Sequence, residues 1–167
     1  EDVAACSEGL VAALVPDKPD AVTETALVQI GDIFGERGHL ALGLRRRPGD
    51  AMRLHRLDAL ARRLGVRSVA TGDVLYDSPD KRMLHDVVTA IRNKCTIDDL
   101  GFRRELYADR HLKSVTEMER RFARFPDAIQ ATADIAARCI FSLRELSYQY
   151  PDEIVMSGRT PQDALAR

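Results

Sequence analysis

The 167-residue chain predicts an α/β fold, and two observations carry that expectation. Between residues 9 and 71, short apolar runs alternate with longer segments of helical periodicity in the order strand, helix, strand, helix, strand. The connections between them are short, which fits parallel pairing through helical crossovers. After residue 93 no further strand-like run follows, and the remaining pattern is helical. The expected architecture is thus an α/β piece followed by an α-helical connecting segment, with a boundary in the polar stretch 94–113.

Residues 9–15 form an apolar run stopped by Pro16 and predict a buried strand. Asp20 opens a helix to about Phe34, with Val22, Ala26, Ile30 and Ile33 or Phe34 toward the core, and Gly35 and Gly38 end it. Residues 39–44 predict a second strand, and Pro48, Gly49 and Asp50 supply a turn and a cap. The next helix places Leu54, Leu57, Leu60, Ala61 and Leu64 on one face, with Arg53, Arg56, Arg62 and Arg63 largely off it. Gly65 stops that helix, and residues 67–71 form the third strand. Parallel strands need cover on both faces, and two crossover helices hardly provide it. A piece of a larger barrel or sheet is therefore expected.

A further helix spans about 80–93, its apolar face made by Met83, Leu84, Val87, Val88 and Ile91 with His85 between the faces. Ser114 followed by Glu117 reads as a capping box for a helix to Arg124. Pro126 opens another, with Ile129, Ala133, Ala136, Ala137 and Ile140 toward a core. Residues 141–151 read as short and irregular, and 157–167 as polar and mobile.

Composition is that of an ordinary soluble globular protein, 45% apolar and 31% charged. No run approaches the roughly 20 apolar residues of a membrane span, and no secretory signal pattern is seen. The missing initiator Met suggests a processed chain or a piece. Cys6, Cys95 and Cys139 stand far apart without zinc-type spacing, as free thiols in a reducing cytoplasm would. A net charge of −1 does not announce nucleic-acid binding, although Arg45–Arg47, Arg103–Arg104 and Arg120–Arg121 form local basic clusters that are commonly solvated surface.

Asp73 is the leading site candidate. It follows a permissive glycine at a strand end, where a carboxylate can ligate a divalent metal, orient a water or simply cap a turn. Asp77 suits a turn and Asp80 a first helical turn. The histidines are dispersed, with no HxH or HxxxH spacing. Neither a phosphate-cradling glycine loop nor a GxSxG elbow is present.

Six ordered blocks carry a resemblance: LRRRPGD at 44–50, ATGDVLY at 70–76, DVVTAIR at 86–92, TIDDLGFRRE at 96–105, ADRHLK at 108–113 and FSLRELSYQYP at 141–151. Together they resemble the error-prone branch of the bacterial DNA polymerase III alpha-subunit family, and residues 1–38 fit the same region more loosely. The resemblance implies that 1–93 is the second half of a PHP (polymerase and histidinol phosphatase) domain, an irregular βα barrel. It implies that 94–167 connects into the polymerase core, with the palm and its catalytic carboxylates outside the chain. No catalytic residue is then expected here.

The family's last PHP metal motif is Asp-x-His, and here it reads Asp73-Val74-Leu75. Leu75 cannot bind a metal, so the implied site is degenerate and a PHP nuclease activity is not expected. The parent protein is expected to extend a primer on template DNA with dNTPs, tolerating damage, using two Mg²⁺ ions held outside this chain. Sliding clamp and other mutagenesis proteins are its expected partners, and the cytoplasm its location. Two rival readings are a PHP-superfamily metal-dependent phosphoesterase and a non-catalytic module. In the latter, Arg103, Arg104, Arg110 and Lys113 would touch nucleic acid or a partner subunit.

Overall fold

In the computed structural model, residues 2–105 and 107–147 are described. The elements are α1 (Asp2–Ala5), β1 (Ala12–Leu14), α2 (Ala21–Phe34), β2 (Gly38–Gly43), α3 (Asp50–Arg63), β3 (Arg67–Thr71), α4 (Arg82–Asn93), α5 (Val115–Arg121) and α6 (Pro126–Arg138). Short 3₁₀ turns cover Gly35–Arg37, Pro79–Lys81, Asp98–Arg103 and Leu143–Glu145. The readings for residues 148–167 lie outside the described residues.

The expected α/β class holds: β1, β2 and β3 form one three-stranded sheet in that order, both pairings parallel. The register sets Leu40 beside Ser68, Ala41 beside Val69 and Leu42 beside Ala70. Because side chains alternate across a strand, Leu40, Leu42 and Ala70 share one face, and Ala41 and Val69 the other. On the first face these residues join Leu27 of α2 and Leu54, Leu57, Leu60 and Ala61 of α3 in the main core. Every residue of β2 is buried, His39 included, as in a central parallel strand covered on both faces.

Cover for the second face comes from α6. Ala131 and Ile135 pack against Ala41 and Val69. The Thr132 hydroxyl donates to the Ala70 carbonyl at 3.0 Å, and Arg67 pairs with Asp134 at 2.9 Å. Phe122, 1% exposed, and Ala128 enter the main core with partial support from Met118 and Phe125. A segment beginning far beyond the last strand thus completes the layer that two crossover helices leave open. His39 lies 1% exposed in β2, and desolvation, followed by repulsion from Arg67 and Arg138, lowers its pKa.

Local chemistry explains most boundaries. The Asp20 carboxylate accepts from Thr23 N at 2.9 Å and caps α2. At the other end Gly35 takes φ +54°, which a side chain rarely adopts. Ser114 caps α5 by accepting from Glu117 N at 3.3 Å. The Glu117 carboxylate does not return to close the box; it turns to Arg120 and Arg121 at 2.8 and 2.6 Å, and these guanidiniums lower its pKa to about 2.

Several expectations need correction. The first strand is confined to three residues, and a short helix precedes it. In α2 the buried residues are Thr23, Leu27 and Phe34, while Val22 is exposed, because the core-facing stripe is rotated by a residue. In α6 the face is Ala128, Ala131 and Ile135; Ala133, Ala136, Ala137 and Ile140 are exposed. Helix α5 stops at Arg121 instead of Arg124. The largest reversal is α4, which buries Asp86 and Ala90 and leaves Met83, Leu84, Val88 and Ile91 exposed.

If α5 and α6 are integral to the core, Phe122→Ala should destabilise the chain by about 3–5 kcal/mol, on the scale of a deeply buried aromatic. Urea unfolding followed by circular dichroism measures this. A loss below about 1 kcal/mol would mean that the second-half helices rest on the sheet without stabilising it.

Candidate functional site

The carboxyl end of β3 runs through Gly72 into Asp73, whose φ of +46° is a left-handed conformation that Asp tolerates better than most residues. Its amide donates to the Thr71 hydroxyl at 3.2 Å. The carboxylate is enclosed by two guanidiniums. Arg110 Nη2 lies 2.8 Å from Oδ1, and Arg45 Nη2 lies 2.6 Å from Oδ2 as an ion-pair contact outside hydrogen-bond alignment. Arg110 Nε also donates to the Asp73 carbonyl at 2.8 Å.

Three chain segments meet at this point: the end of β3, the loop after β2 and the stretch before α5. The chain reinforces the junction through its backbone, with Leu75 N donating to the Arg110 carbonyl at 2.8 Å and Tyr76 bridging to His111. Arg110 is further paired with Glu105 at 2.7 Å. Burial alone would lower the Arg110 pKa; Glu105 and Asp73 outweigh that and raise it. The side chain is thereby a fixed cation of the protein.

This donor set does not suit a metal ion. Both oxygens of Asp73 face positive groups, and Leu75 has no atom to donate. Among the described residues no group of three or more His, Cys, Asp or Glu side chains converges. His85, half-buried, packs its ring at 5.9 Å from that of Tyr76.

The loop after β2 is held from below. Asp50, 7% exposed, accepts from the amides of Arg45 at 2.8 Å and Arg47 at 3.2 Å. It therefore braces the loop, while Gly49 takes the helix-cap position. Arg53, off the apolar face of α3, pairs with Asp50 at 3.0 Å and donates to the Gly43 carbonyl. A second knot centres on buried Asp109, gripped by Arg121 at 2.7 and 2.8 Å and by Arg46 at 3.1 Å. Hydrogen bonding to Arg121 holds the Asp109 pKa below the usual carboxylate range, and Asp109 in turn raises that of Arg121.

Around these knots lies a cleft of ≈ 700 Å³. Its lining includes Arg45, Arg46 and Arg47 from the loop after β2, Arg82 at the start of α4, and Arg103, Arg104 and Arg110 beyond it. Of the four basic residues singled out from the sequence, three contribute to this cleft. Arg103 is exposed and has no ion pair among the described residues. Arg104 reaches down to buried Asp86 at 3.3 Å, and Arg110 serves the Asp73 junction. Lys113 is turned inward, bonded to the carbonyls of Asp109 and His111, and burial lowers its pKa.

Asp50 reads in the sequence as part of a turn and cap and not as the brace of the Arg45–Arg47 loop, and neither Asp109 nor the exposed rings of Phe102 and Tyr107 on the same lining stand out there. The run Arg45–Arg47 was visible as a basic cluster. Its signal was the density of arginine in 44–50 and 103–110, which only the fold brings together.

The cleft and the parallel sheet define an α/β segment with an arginine-lined surface, and sequence comparison supplies its kinship. Error-prone DNA polymerase 2 of Agrobacterium fabrum is 49% identical over 165 residues, 99% of this chain and 15% of the relative. Error-prone DNA polymerase 1 of the same bacterium is 48% identical over 167 residues, again 15% of the relative. The error-prone DNA polymerase of Allorhizobium ampelinum is 47% identical over 165 residues. No protein-family model matches the chain. The chain is thus similar along essentially its whole length to error-prone DNA polymerases, and it spans about 15% of the length of the curated relatives it matches.

Asp73→Asn should remove the charge that offsets Arg45 and Arg110, costing about 1–3 kcal/mol for this partly buried cluster. Added Mn²⁺ or Zn²⁺ should leave the thermal midpoint of the native chain unchanged. A metal-dependent rise that Asp73→Asn abolishes would contradict the ion-pair role.

Proposed function

We propose that the protein containing this segment is an error-prone, DNA-directed DNA polymerase acting in damage-tolerant synthesis and repair in the cytoplasm. The single observation that carries the reading is the match of 47–49% identity, along essentially the whole chain, to several error-prone DNA polymerases. Template-primer DNA and dNTPs are its substrates, and Mg²⁺ bound by carboxylates outside this chain assists phosphoryl transfer. A sliding clamp and other mutagenesis proteins are its proposed partners.

Within that protein, residues 1–93 are proposed to be the second half of a PHP-type βα barrel and 94–167 the connection to the polymerase core. The segment's task is to brace that core. Two features support this role. The Asp73 carboxylate is committed to Arg45 and Arg110. Helix α4 also carries Met83, Leu84, Val88 and Ile91 on an outward face, more apolar surface than one short helix commonly leaves uncovered. These points favour a bracing module over the phosphoesterase alternative.

Primer extension on a template containing an abasic site tests the reading. The intact protein should extend past the lesion with dNTPs and Mg²⁺, and the purified 167-residue chain should extend nothing. Template-dependent extension by the short chain would overturn the bracing role; an intact protein inactive on any primed template would overturn the polymerase.

A further inference from the structure

We infer that the arginine cleft is a seat for single-stranded DNA, with phosphates on Arg46, Arg47 and Arg103 and bases stacked on Phe102 and Tyr107. The inference rests on the polymerase reading and names a contact for the unpaired template.

Charge points to a polyanion. Seven arginines line the cleft against two carboxylates, Glu105 and Asp109. Those two are already engaged, Glu105 by Arg110 at 2.7 Å and Asp109 by Arg121 at 2.7 Å. Exposed Asp17 and the more buried Asp73 and Asp86 pair with Arg45, Arg47, Arg110, Arg82 and Arg104, and a positive surplus remains when they are counted. The outward guanidiniums reach solvent: Arg46 and Arg47 are more than half exposed while paired with Asp109 and Asp17, and Arg103 has no ion pair among the described residues. A phosphate backbone takes up such charge with release of counterions.

The aromatic residues select a single strand. Phe102 is fully exposed at 108% and Tyr107 at 53%, both on the cleft lining. Gly101, at φ +53°, interrupts the 3₁₀ turn just before Phe102 and lets the chain turn the ring outward. Paired bases hide their faces in the stack, whereas unpaired bases offer them to a ring, and ring stacking beside a basic groove is the chemistry of single-strand binding. The groove is also preorganised. Asp50 braces the loop of Arg45–Arg47 from within, and the Asp73 junction fixes the opposite wall.

Photo-cross-linking of the intact protein tests this, using a primed template whose unpaired 5′ overhang carries 5-iododeoxyuridine. Cross-linked peptides should include residues 101–107. Phe102→Ala with Tyr107→Ala should lower that yield about fivefold or more, the weakest loss expected for one stacked base. Arg103→Glu should weaken overhang binding at low salt and flatten its salt dependence. Unchanged thermal midpoints would show that these surface variants fold.

Overhang cross-links that all fall outside 101–110, in a protein that extends primers normally, would overturn the cleft assignment and leave the polymerase reading standing. Cross-linking of 101–110 to another polypeptide instead of DNA would likewise overturn it. Loss of both extension and cross-linking would count against both readings.

Discussion

The Asp73 carboxylate, 2.6 Å from Arg45 and 2.8 Å from Arg110, is the interaction on which the rest of this surface depends. It joins the end of β3 to the loop after β2 and to the chain that returns after α4. The partial burial of this carboxylate at the strand end costs solvation, and two guanidiniums offset that cost. Because the partners come from segments far apart in sequence, the junction sets where both walls of the basic cleft stand. The second knot, Asp109 with Arg121 and Arg46, fixes the same loop to α5.

The sheet and its covering helices provide the platform. Three parallel strands with α2 and α3 on one face would leave Ala41 and Val69 in water. Helix α6 closes that face with small side chains, Ala131 foremost, which let the helix approach the sheet closely. The Thr132 hydroxyl then reaches the Ala70 carbonyl, one residue before the strand turns toward Asp73. The helical second half thereby supports the strand whose end carries the junction.

Much of this was legible in the sequence. Strong periodicity and clear stop signals placed α2, α3, β2 and β3 within a few residues, since Asp20, Gly35 and Gly65 act locally. Contacts made across the chain were not legible. The apolar face of α4 reads as core, yet the buried side holds Asp86, because Arg82 and Arg104 arrive to pair it. In α6 the alanines are too uniform for periodicity to show which of them face the sheet. Asp73 was found as a strand-end carboxylate, but its partners, 28 and 37 residues away in sequence, could not be read from spacing. Lys113 belonged to a basic stretch and turned inward because two carbonyls were within its reach.

The central claim, that Asp73 acts as an ion-pair hub, is tested most directly by a double-mutant cycle between Asp73 and Arg110. Asp73→Asn, Arg110→Met and the double variant would be compared by urea unfolding at neutral pH. The structure predicts a favourable coupling of about 1–3 kcal/mol, with the double variant more stable than the sum of single losses implies. A coupling indistinguishable from zero would contradict it.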